Sequence, residues 1–300
     1  MWKSYIKPKT MKKITTFCLT ALFIFVLSSC KNEPVKNKKE TEPDRLKIVS
    51  LTPSITKQLN LLEVQDFVVG HTSYCPAKNL DSSEVVASAT EVNIEKIATI
   101  KPDVVLVSTL TKQKVVKTLR KLNVKVKYLD MPGSFNEICS QLIKIGNIVN
   151  RKEEAEGIVK KQRTKLDSIR AKIPAGDTLK YFIEIGANPL FAATSDSFMH
   201  DYIKYVNGKN IAAGLKTGTI SRENVLVKNP DVIIIVTMGI VGKEEKEVWR
   251  EYPNLSANQK NKIFIIDSDK ACSPTPVSFV EVTEKIVDLV YFGEQENQDS

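Results

Sequence analysis

Side chains that could bind a metal or attack a substrate are few in this sequence. It contains only two histidines, His71 and His200, which excludes a site built from several imidazoles. Each is expected to be a surface or loop residue; the alternative, an axial ligand of a bound metal complex, applies to His71 more than to His200. The chain has no Gly-x-Ser-x-Gly elbow, no glycine-rich phosphate loop and no His-Glu-x-x-His motif. These absences predict that the protein is not an enzyme.

The cysteines are spaced in no zinc-binding pattern. Cys75, Cys139 and Cys272 lie beyond the N-terminal segment, and an odd number allows one disulfide at most. Cys139 falls on the apolar face of a predicted helix and is expected in the core. Cys75 and Cys272 could form a disulfide, ligate a metal or remain inert, and a disulfide would need Cα atoms within about 7 Å.

One pattern of glutamate, helix, Pro-Asp and strand occurs twice. The first copy reads NIEKIATIKPDVVLVS (93–108) and the second SRENVLVKNPDVIIIVT (221–237). Proline cannot continue the helix, and the run of Val and Ile that follows predicts a strand buried on both faces. Glu95 and Glu223 stand at equivalent positions of the two copies, so the repeat predicts two lobes of similar design.

Short apolar strands alternate with helices along both halves, which predicts an α/β fold with parallel, doubly wound sheets. Apolar residues at helical spacing from Ala155 to Ile173 predict a long one-sided helix between the halves. The segments His71–Ala89 and Gly186–Ser195 are predicted to be loops. The expected organisation is an N-terminal lobe (46–150), a connecting helix (151–173), a C-terminal lobe (174–292) and a tail (293–300).

The N-terminus has the features of a secretory signal (1–29): a basic start, a short apolar run and small residues before Cys30. Its end resembles the bacterial lipobox, in which the cysteine, here Cys30, is lipidated. Residues 30–45 are polar and predict a tether. The protein is therefore expected outside the cytoplasm, lipid-anchored to a bacterial membrane, facing the periplasm or the cell surface.

The net charge of +9 falls to +4 once the signal is removed, because its five lysines are unopposed and 39 basic and 35 acidic residues remain. We interpret this excess as small and scattered, which argues against nucleic-acid binding.

Five segments in order, KIVSLTPSITKQL, VVGHTSYC, VNIEKIATIKPDVVLV, FIEIGANPLF and SRENVLVKNPDVIIIV, carry a family resemblance. Over Leu46–Phe292 the chain resembles the substrate-binding proteins of bacterial ABC importers for cobalamin, haem and ferric siderophores. The resemblance implies two Rossmann-like lobes with parallel sheets, joined by one long connecting helix, with a ligand cleft between them. It implies a carried metal chelate, an ABC permease dimer as partner and no resident cofactor.

The cleft residues follow from the rule that ligands sit beyond the carboxyl ends of parallel strands. They are Pro53, Tyr74, Cys75, Asn188, Phe191, Met238, Cys272 and Ser273. The resemblance implies that Tyr74 and Phe191 sandwich a ring, with core packing as the alternative.

Threonines stand near positions 90 and 217, where cobalamin-binding members carry tryptophan, and the cleft loops hold no arginines for an anionic siderophore. A haem would be ligated by Tyr74 or His71. We expect no disulfide between Cys75 and Cys272, because it would lock lobes that must release ligand.

The resemblance also implies that Glu95 and Glu223 dock against arginines of the permease, with ordinary helix N-terminal charge as the alternative. The expected function is capture of a metal chelate and delivery to an ABC permease. The alternatives are a binding protein of the same fold with another small ligand, a lipid-anchored enzyme using the cleft, and a purely structural surface lipoprotein.

Overall fold

The computed structural model describes residues 45–75, 80, 82–88, 91–176, 178–236 and 242–293. The signal segment, Cys30, all of the tether before Arg45, Thr90, Met238 and the tail after Gly293 lie outside the described residues. Residues 45–300 form one compact unit by themselves. No helix in the described part of the chain is long and apolar enough to cross a membrane.

The first half of this unit is a five-stranded parallel sheet in the order β3-β2-β1-β4-β5. Its strands are β1 (Ile48–Ser50), β2 (Val68–Thr72), β3 (Glu84–Ala87), β4 (Val104–Val107) and β5 (Val126–Tyr128). Its helices are α1 (Pro53–Leu61), α2 (Ile94–Ile100), α3 (Gln113–Lys121) and α4 (Phe135–Ile148), with a 3₁₀ turn at Gln65–Phe67.

The second half is a sheet in the order β10-β9-β6-β7, with β8 paired to β6. Its strands are β6 (Lys180–Ala187), β7 (Leu190–Ala192), β8 (Lys209–Asn210), β9 (Val232–Val236) and β10 (Ile263–Ile266). Its helices are α6 (Met199–Tyr205), α7 (Arg222–Lys228), α8 (Gly242–Arg250), α9 (Ser256–Gln259), α10 (Ser268–Cys272) and α11 (Pro276–Val287), followed by a π-helical turn at Asp288–Phe292. Helix α5 (Lys152–Ala171) stands between the two halves in sequence.

The predicted fold class is confirmed, but two predicted loops were wrong in part. The segment His71–Ala89 contains the end of β2 and the whole of β3, and Gly186–Ser195 contains the end of β6 and β7. Strand β3 is an edge strand with its first two residues exposed, and β7 has only three residues. Their exposed residues resemble those of a loop, whereas equally short strands such as β4 were predicted because all their residues are apolar and buried. Strand β7 also runs antiparallel to β6, so the second sheet is not wholly parallel.

One hydrophobic cluster runs through both halves and the helix between them. It contains Ile48 and Leu106 from the first sheet, Leu166 from α5, and Tyr181 and Ile234 from the second sheet. Helix α5 packs against α4 of the first half and α11 of the second half, which also contact each other. Two separate clusters cover the opposite sheet faces, one under α2 and α3 and one under α7 and α8. The two halves are therefore joined by a continuous core.

A stack of aromatic rings crosses this core. The Phe135 ring of α4 stacks on Phe279 of α11 at 4.7 Å between centroids, and Phe279 stacks on Tyr202 of α6 at 4.5 Å. The backbone N–H of Phe135 donates to the Asp201 carboxylate at 2.8 Å, so the first helical residue of α4 is also bonded to the second half. All three rings are fully or almost fully buried.

The repeated Pro-Asp has the same structural role in each half. Asp103 accepts a hydrogen bond from the backbone N–H of Lys47 at 2.7 Å, and its own N–H donates to the Lys47 carbonyl at 2.9 Å. Asp231 makes the same two bonds with Lys180, each at 2.8 Å. Each aspartate thereby fixes the register of a Val- and Ile-rich strand against the central strand of its sheet.

We expect Asp231→Ala to lower the free energy of unfolding by about 2 kcal/mol, the range typical of hydrogen bonds to charged groups. Besides Lys180, this carboxylate accepts from the Ser256 hydroxyl and the Lys260 ammonium, so several donors would lose their partner. Urea unfolding at pH 7 measures the change. Asp167→Ala, at an exposed position of α5, is the control and should alter stability by less than about 0.5 kcal/mol. Equal midpoints for the two variants would contradict the assigned role.

Candidate functional site: the inter-lobe cleft and two outer glutamates

Buried hydroxyl groups join the carboxyl ends of β1 and β4. The Thr52 hydroxyl donates to Ser108 at 3.1 Å, and the Thr56 hydroxyl donates to Ser50 at 2.8 Å. Pro53, the first residue of α1, sits half-buried beside this group, with its fixed φ suited to a helix start. The group fixes the start of α1 at the sheet edge where ligands bind in parallel α/β folds.

In the turn after β2, the neighbouring residues Tyr74 and Cys75 differ in exposure to solvent. The Cys75 N–H donates to the Thr72 carbonyl at 3.0 Å, and the thiol lies 3.0 Å from the Thr56 hydroxyl and 3.3 Å from the Thr72 hydroxyl. Cys75 is buried, whereas the side chain of Tyr74 is 64% exposed. Cys75 therefore supports the turn from below, and Tyr74 projects from it.

His71 lies inside β2 and is buried. Its Nδ1 is 2.8 Å from the Ser83 hydroxyl, in the segment leading into β3. Burial first, and then the nearby Lys96 ammonium, lower the pKa of His71, so the imidazole is neutral at pH 7. The expectation that His71 is a surface or loop residue was therefore wrong, because the residue lies within a strand and is covered by its neighbours.

Leu110 is a cleft-edge residue that the sequence prediction of site residues omitted. It is 76% exposed in the turn after β4, where the Thr111 N–H donates to the Ser108 carbonyl. Single exposed leucines are common on protein surfaces, so it is the position of Leu110 at the carboxyl end of β4 that relates it to the expected ligand edge. The signal in the sequence was a single leucine inside the polar stretch STLTKQ, which periodicity does not distinguish from a core residue.

On the second half, Phe191 lies on β7 and is 43% exposed. Its ring rests on Gly218, where an added Cβ would lie only 2.3 Å from the ring. The Ala192 N–H donates to the Gly218 carbonyl at 2.7 Å, which holds the two segments together. Asn188 is exposed at the preceding turn between β6 and β7. The glycine thus leaves room for the ring and supports it from one side.

The α10 segment faces the first half through an ion pair. The Lys57 ammonium on α1 lies 2.7 Å from the Asp269 carboxylate and also donates to the Asp269 carbonyl. Cys272 and Ser273, at the end of α10, are half-buried. Burial raises the pKa of Cys272 to about 12, with a further contribution from Asp267, so the thiol stays protonated. Cys75 and Cys272 are free thiols, as expected, and Cys139 is in the core.

Glu95 and Glu223 occupy the same position on two equivalent helices. Each is the second residue of its helix, exposed, after an N-cap side chain: Asn93 accepts from the Lys96 N–H, and Ser221 accepts from the Asn224 N–H. Hydrogen bonds from its own backbone N–H and from the Ser221 hydroxyl lower the pKa of Glu223. Each half therefore carries a carboxylate of matching placement on its outer helix.

A buried polar group lies between α7 and the second sheet. The Arg222 guanidinium stacks 4.4 Å from the Trp249 ring centroid and pairs with Glu245 at 2.6 Å. The Trp249 indole N–H donates to Glu184 on the central strand β6 at 2.7 Å. Burial, followed by the neighbouring Glu245, raises the pKa of Glu184 well above its usual range, so this carboxyl retains its proton at neutral pH. The sequence gives no sign of this group, because Trp249 stands among charged residues on α8 and its partners lie far away along the chain.

The fold defines a class of protein: a two-lobed α/β binding protein with one largely parallel sheet in each lobe and one long helix between the lobes. A family model described as periplasmic binding protein matches residues 48–270, and the chain belongs to that family. It is a substrate-binding protein of an ABC importer and not an enzyme.

Three relatives illustrate the similarity. The chain is 28% identical over 284 residues to the uncharacterized ABC transporter substrate-binding lipoprotein YvrC of Bacillus subtilis, covering 91% of this chain and 87% of that protein. It is 25% identical over 193 residues to a vitamin B12-binding protein of Yersinia pestis, covering 63% and 69%. The crystal structure of a possible iron-binding (periplasmic solute-binding) protein from Staphylococcus epidermidis aligns with a TM-score of 0.71 at 25% identity, covering 83% and 98%.

Glu184 should make stability depend on pH. The folded protein keeps the Glu184 proton to a higher pH than the unfolded chain, whose glutamates titrate near pH 4.3. The free energy of unfolding should therefore fall as pH rises above that value, by at most about 1.4 kcal/mol per pH unit, until the raised pKa is passed. Glu184→Gln keeps the shape without the charge and should flatten this decline between pH 5 and 8.

Thermal unfolding of both forms across this pH range measures the effect. Glu153→Gln, at an exposed position of α5, is the control and should leave the decline unchanged. An identical decline in the wild type and Glu184→Gln would mean that Glu184 does not hold its proton.

Proposed function

We propose that the protein captures a planar or apolar-faced metal chelate, such as a corrinoid or haem, between its lobes. The observation that carries this proposal is the exposure of Tyr74, Leu110 and Phe191, three large side chains at the carboxyl-edge loops of the two sheets. Aromatic and aliphatic surfaces bind the faces of macrocycles, and water-exposed apolar side chains at such an edge favour burial by a ligand.

The cleft chemistry favours a macrocycle over a strongly anionic ferric siderophore. No arginine occurs in the loops that contain Pro53, Tyr74, Leu110, Asn188 to Phe191 or Ser273. The Lys57 ammonium at this edge is already paired with Asp269. An anionic siderophore would need unpaired cations to replace its hydration, since burying an uncompensated charge is costly. A small ligand of another kind remains the second candidate.

Delivery is proposed to use Glu95 and Glu223. Two exposed carboxylates in matching positions, one per lobe, suit a partner that presents arginines in pairs, because guanidinium binds carboxylate through two hydrogen bonds. Lipidation at Cys30, with residues 30–45 as tether, would keep the protein at the membrane that holds the permease. The B. subtilis relative described as a lipoprotein supports this part of the proposal.

Ligand identity is tested by titrating residues 45–300 with cyanocobalamin, haemin and a ferric siderophore, read by absorbance and calorimetry. We expect a corrinoid or haemin to bind, and Tyr74→Ala or Phe191→Ala to weaken binding about tenfold, the effect of losing roughly 1.4 kcal/mol of ring contact. Gly218→Ala should also weaken binding, with little loss of stability, because its methyl group would displace the exposed Phe191 ring.

The matched control is Phe292→Ala, which removes an exposed phenylalanine at the end of the last helix. It should leave affinity within twofold of the wild type. Failure of all three ligands to bind would overturn the chelate proposal, and an equal loss in Phe292→Ala would remove Tyr74 and Phe191 from the site.

Docking is tested by replacing Glu95 and Glu223 together with alanine. We expect chelate uptake by cells carrying this variant to fall at least tenfold, while the affinity of the soluble domain for the chelate stays unchanged. Glu153→Ala is the control, since Glu153 is an exposed glutamate at the same second position of α5. Normal uptake by the double variant would refute the docking role.

A further inference from the structure

The positive charge of the mature chain is concentrated in one segment, which corrects the view that it is scattered. Between Thr111 and Leu129 there are seven lysines and arginines and no acidic residue. They are Lys112, Lys114, Lys117, Arg120, Lys121, Lys125 and Lys127. Of the 39 cations after residue 29, the other 32 are outnumbered by 35 acidic residues. We call helix α3 with these seven cations the basic face.

The structure turns this charge outward. Val116 and Leu119 of α3 are buried against β4 residues Val105 and Val107, and all seven cations are exposed. Lys114, Lys117 and Lys121 follow the spacing i, i+3 and i+7, so they form one stripe along the helix. No carboxylate pairs with these three lysines within the described residues. Strand β5, which carries Lys127, is the edge of its sheet and continues the same charge.

The second lobe shows that the fold does not require this charge. Helix α8 is the counterpart of α3, since each joins the Pro-Asp strand to the strand beside it, β4 to β5 and β9 to β10. Both helices have nine residues. Helix α3 carries four cations and no acid, whereas α8 carries three cations and three acids. Helices α3 and α8 have the same place in the fold but different charge. This difference indicates that the basic face has a role other than folding.

We propose that the basic face binds the anionic phospholipid surface of the membrane beside the permease. Helix α3 packs next to α2, whose first turn carries Glu95. A domain docked through Glu95 would therefore hold α3 near the same membrane. Lysines and arginines close to an anionic bilayer are attracted to it in proportion to their number, within about a Debye length.

The segment before Arg45, if anchored at Cys30, would keep the folded domain close to the membrane. A tether of 16 residues from Cys30 to Arg45 spans at most about 55 Å when extended. The anchor alone would leave the domain free to rotate, whereas a basic face would orient it. This orienting step rests on the proposed lipid anchor and docking, but binding of the basic face to lipid can be measured without either.

The test uses residues 45–300, which form a compact unit with their own cores and lack the lipid-bearing cysteine. Vesicles of phosphatidylglycerol and phosphatidylcholine in equal parts, and of phosphatidylcholine alone, are mixed with the protein and separated by flotation. We expect partition onto the anionic vesicles only, suppressed by 0.5 M salt. Lys114→Glu, Lys117→Glu and Lys121→Glu together should reduce this partition at least tenfold.

The matched control replaces Lys144, Lys160 and Lys161 with glutamate, which changes the net charge equally on exposed positions of α4 and α5. It should retain partition within twofold. The proposal is overturned if the wild type ignores anionic vesicles, if both triple variants lose partition equally, or if a DNA duplex or polyglutamate competes through the same lysines at lower concentration than the lipid.

Chelate titration and thermal unfolding of the two triple variants complete the design. Unchanged chelate affinity and melting temperature would show that a loss of partition comes from the surface alone. Failure of chelate binding in the wild type would refute the proposed ligand and leave the lipid result standing, so the two proposals fail separately.

Discussion

The shared core between the two sheets is the constraint on which the rest of the structure depends. Phe135, Phe279 and Tyr202 stack through it, and α5 packs along it against one helix from each half. An interior packed this closely does not deform continuously. A change in the separation of the two halves would therefore disturb this shared core.

The same constraint divides the surfaces by function. The common core covers the inner face of each sheet. The outer face is covered by α2 and α3 on the first half and by α7 and α8 on the second half. The carboxyl edges are left for Tyr74, Leu110 and Phe191. The outer helices are exposed on the surface, and Glu95, Glu223 and the basic face, to which we assign contacts with the permease and the membrane in our proposals, are found there. Ion pairs such as Lys57–Asp269 tie the halves at the cleft without filling it.

The predictions from sequence succeeded where the residues of an element share one burial preference and failed where burial is mixed. Helix α5 was clear because its apolar residues repeat at helical spacing, and strands β4 and β9 were clear because every residue in them is apolar and buried. Strands β3 and β7 were missed because β3 begins with two exposed residues and β7 has one exposed residue between two buried ones, so each depends on its neighbour in the sheet. Leu110 was missed because a lone leucine gives no sign of whether a partner covers it. The seven cations from 112 to 127 were visible in the sequence. Only the comparison with α8, the counterpart of α3 in the second half, showed that the fold does not require them.

The sequence by itself determined the two-lobe design, the connecting helix, the equivalent glutamates and the absence of an enzyme motif, because proline, helical spacing and Val- and Ile-rich runs act locally along the chain. Only the tertiary structure decided that Cys75 lies beneath its turn while Tyr74 projects, that Gly218 supports Phe191, that the Trp249 indole donates to a buried Glu184, and that the lysines of α3 share one outward stripe. These outcomes depend on which side of a residue is covered by chain far away in sequence. Burial, and with it the protonation and availability of a side chain, is a property of the folded assembly and not of the residue.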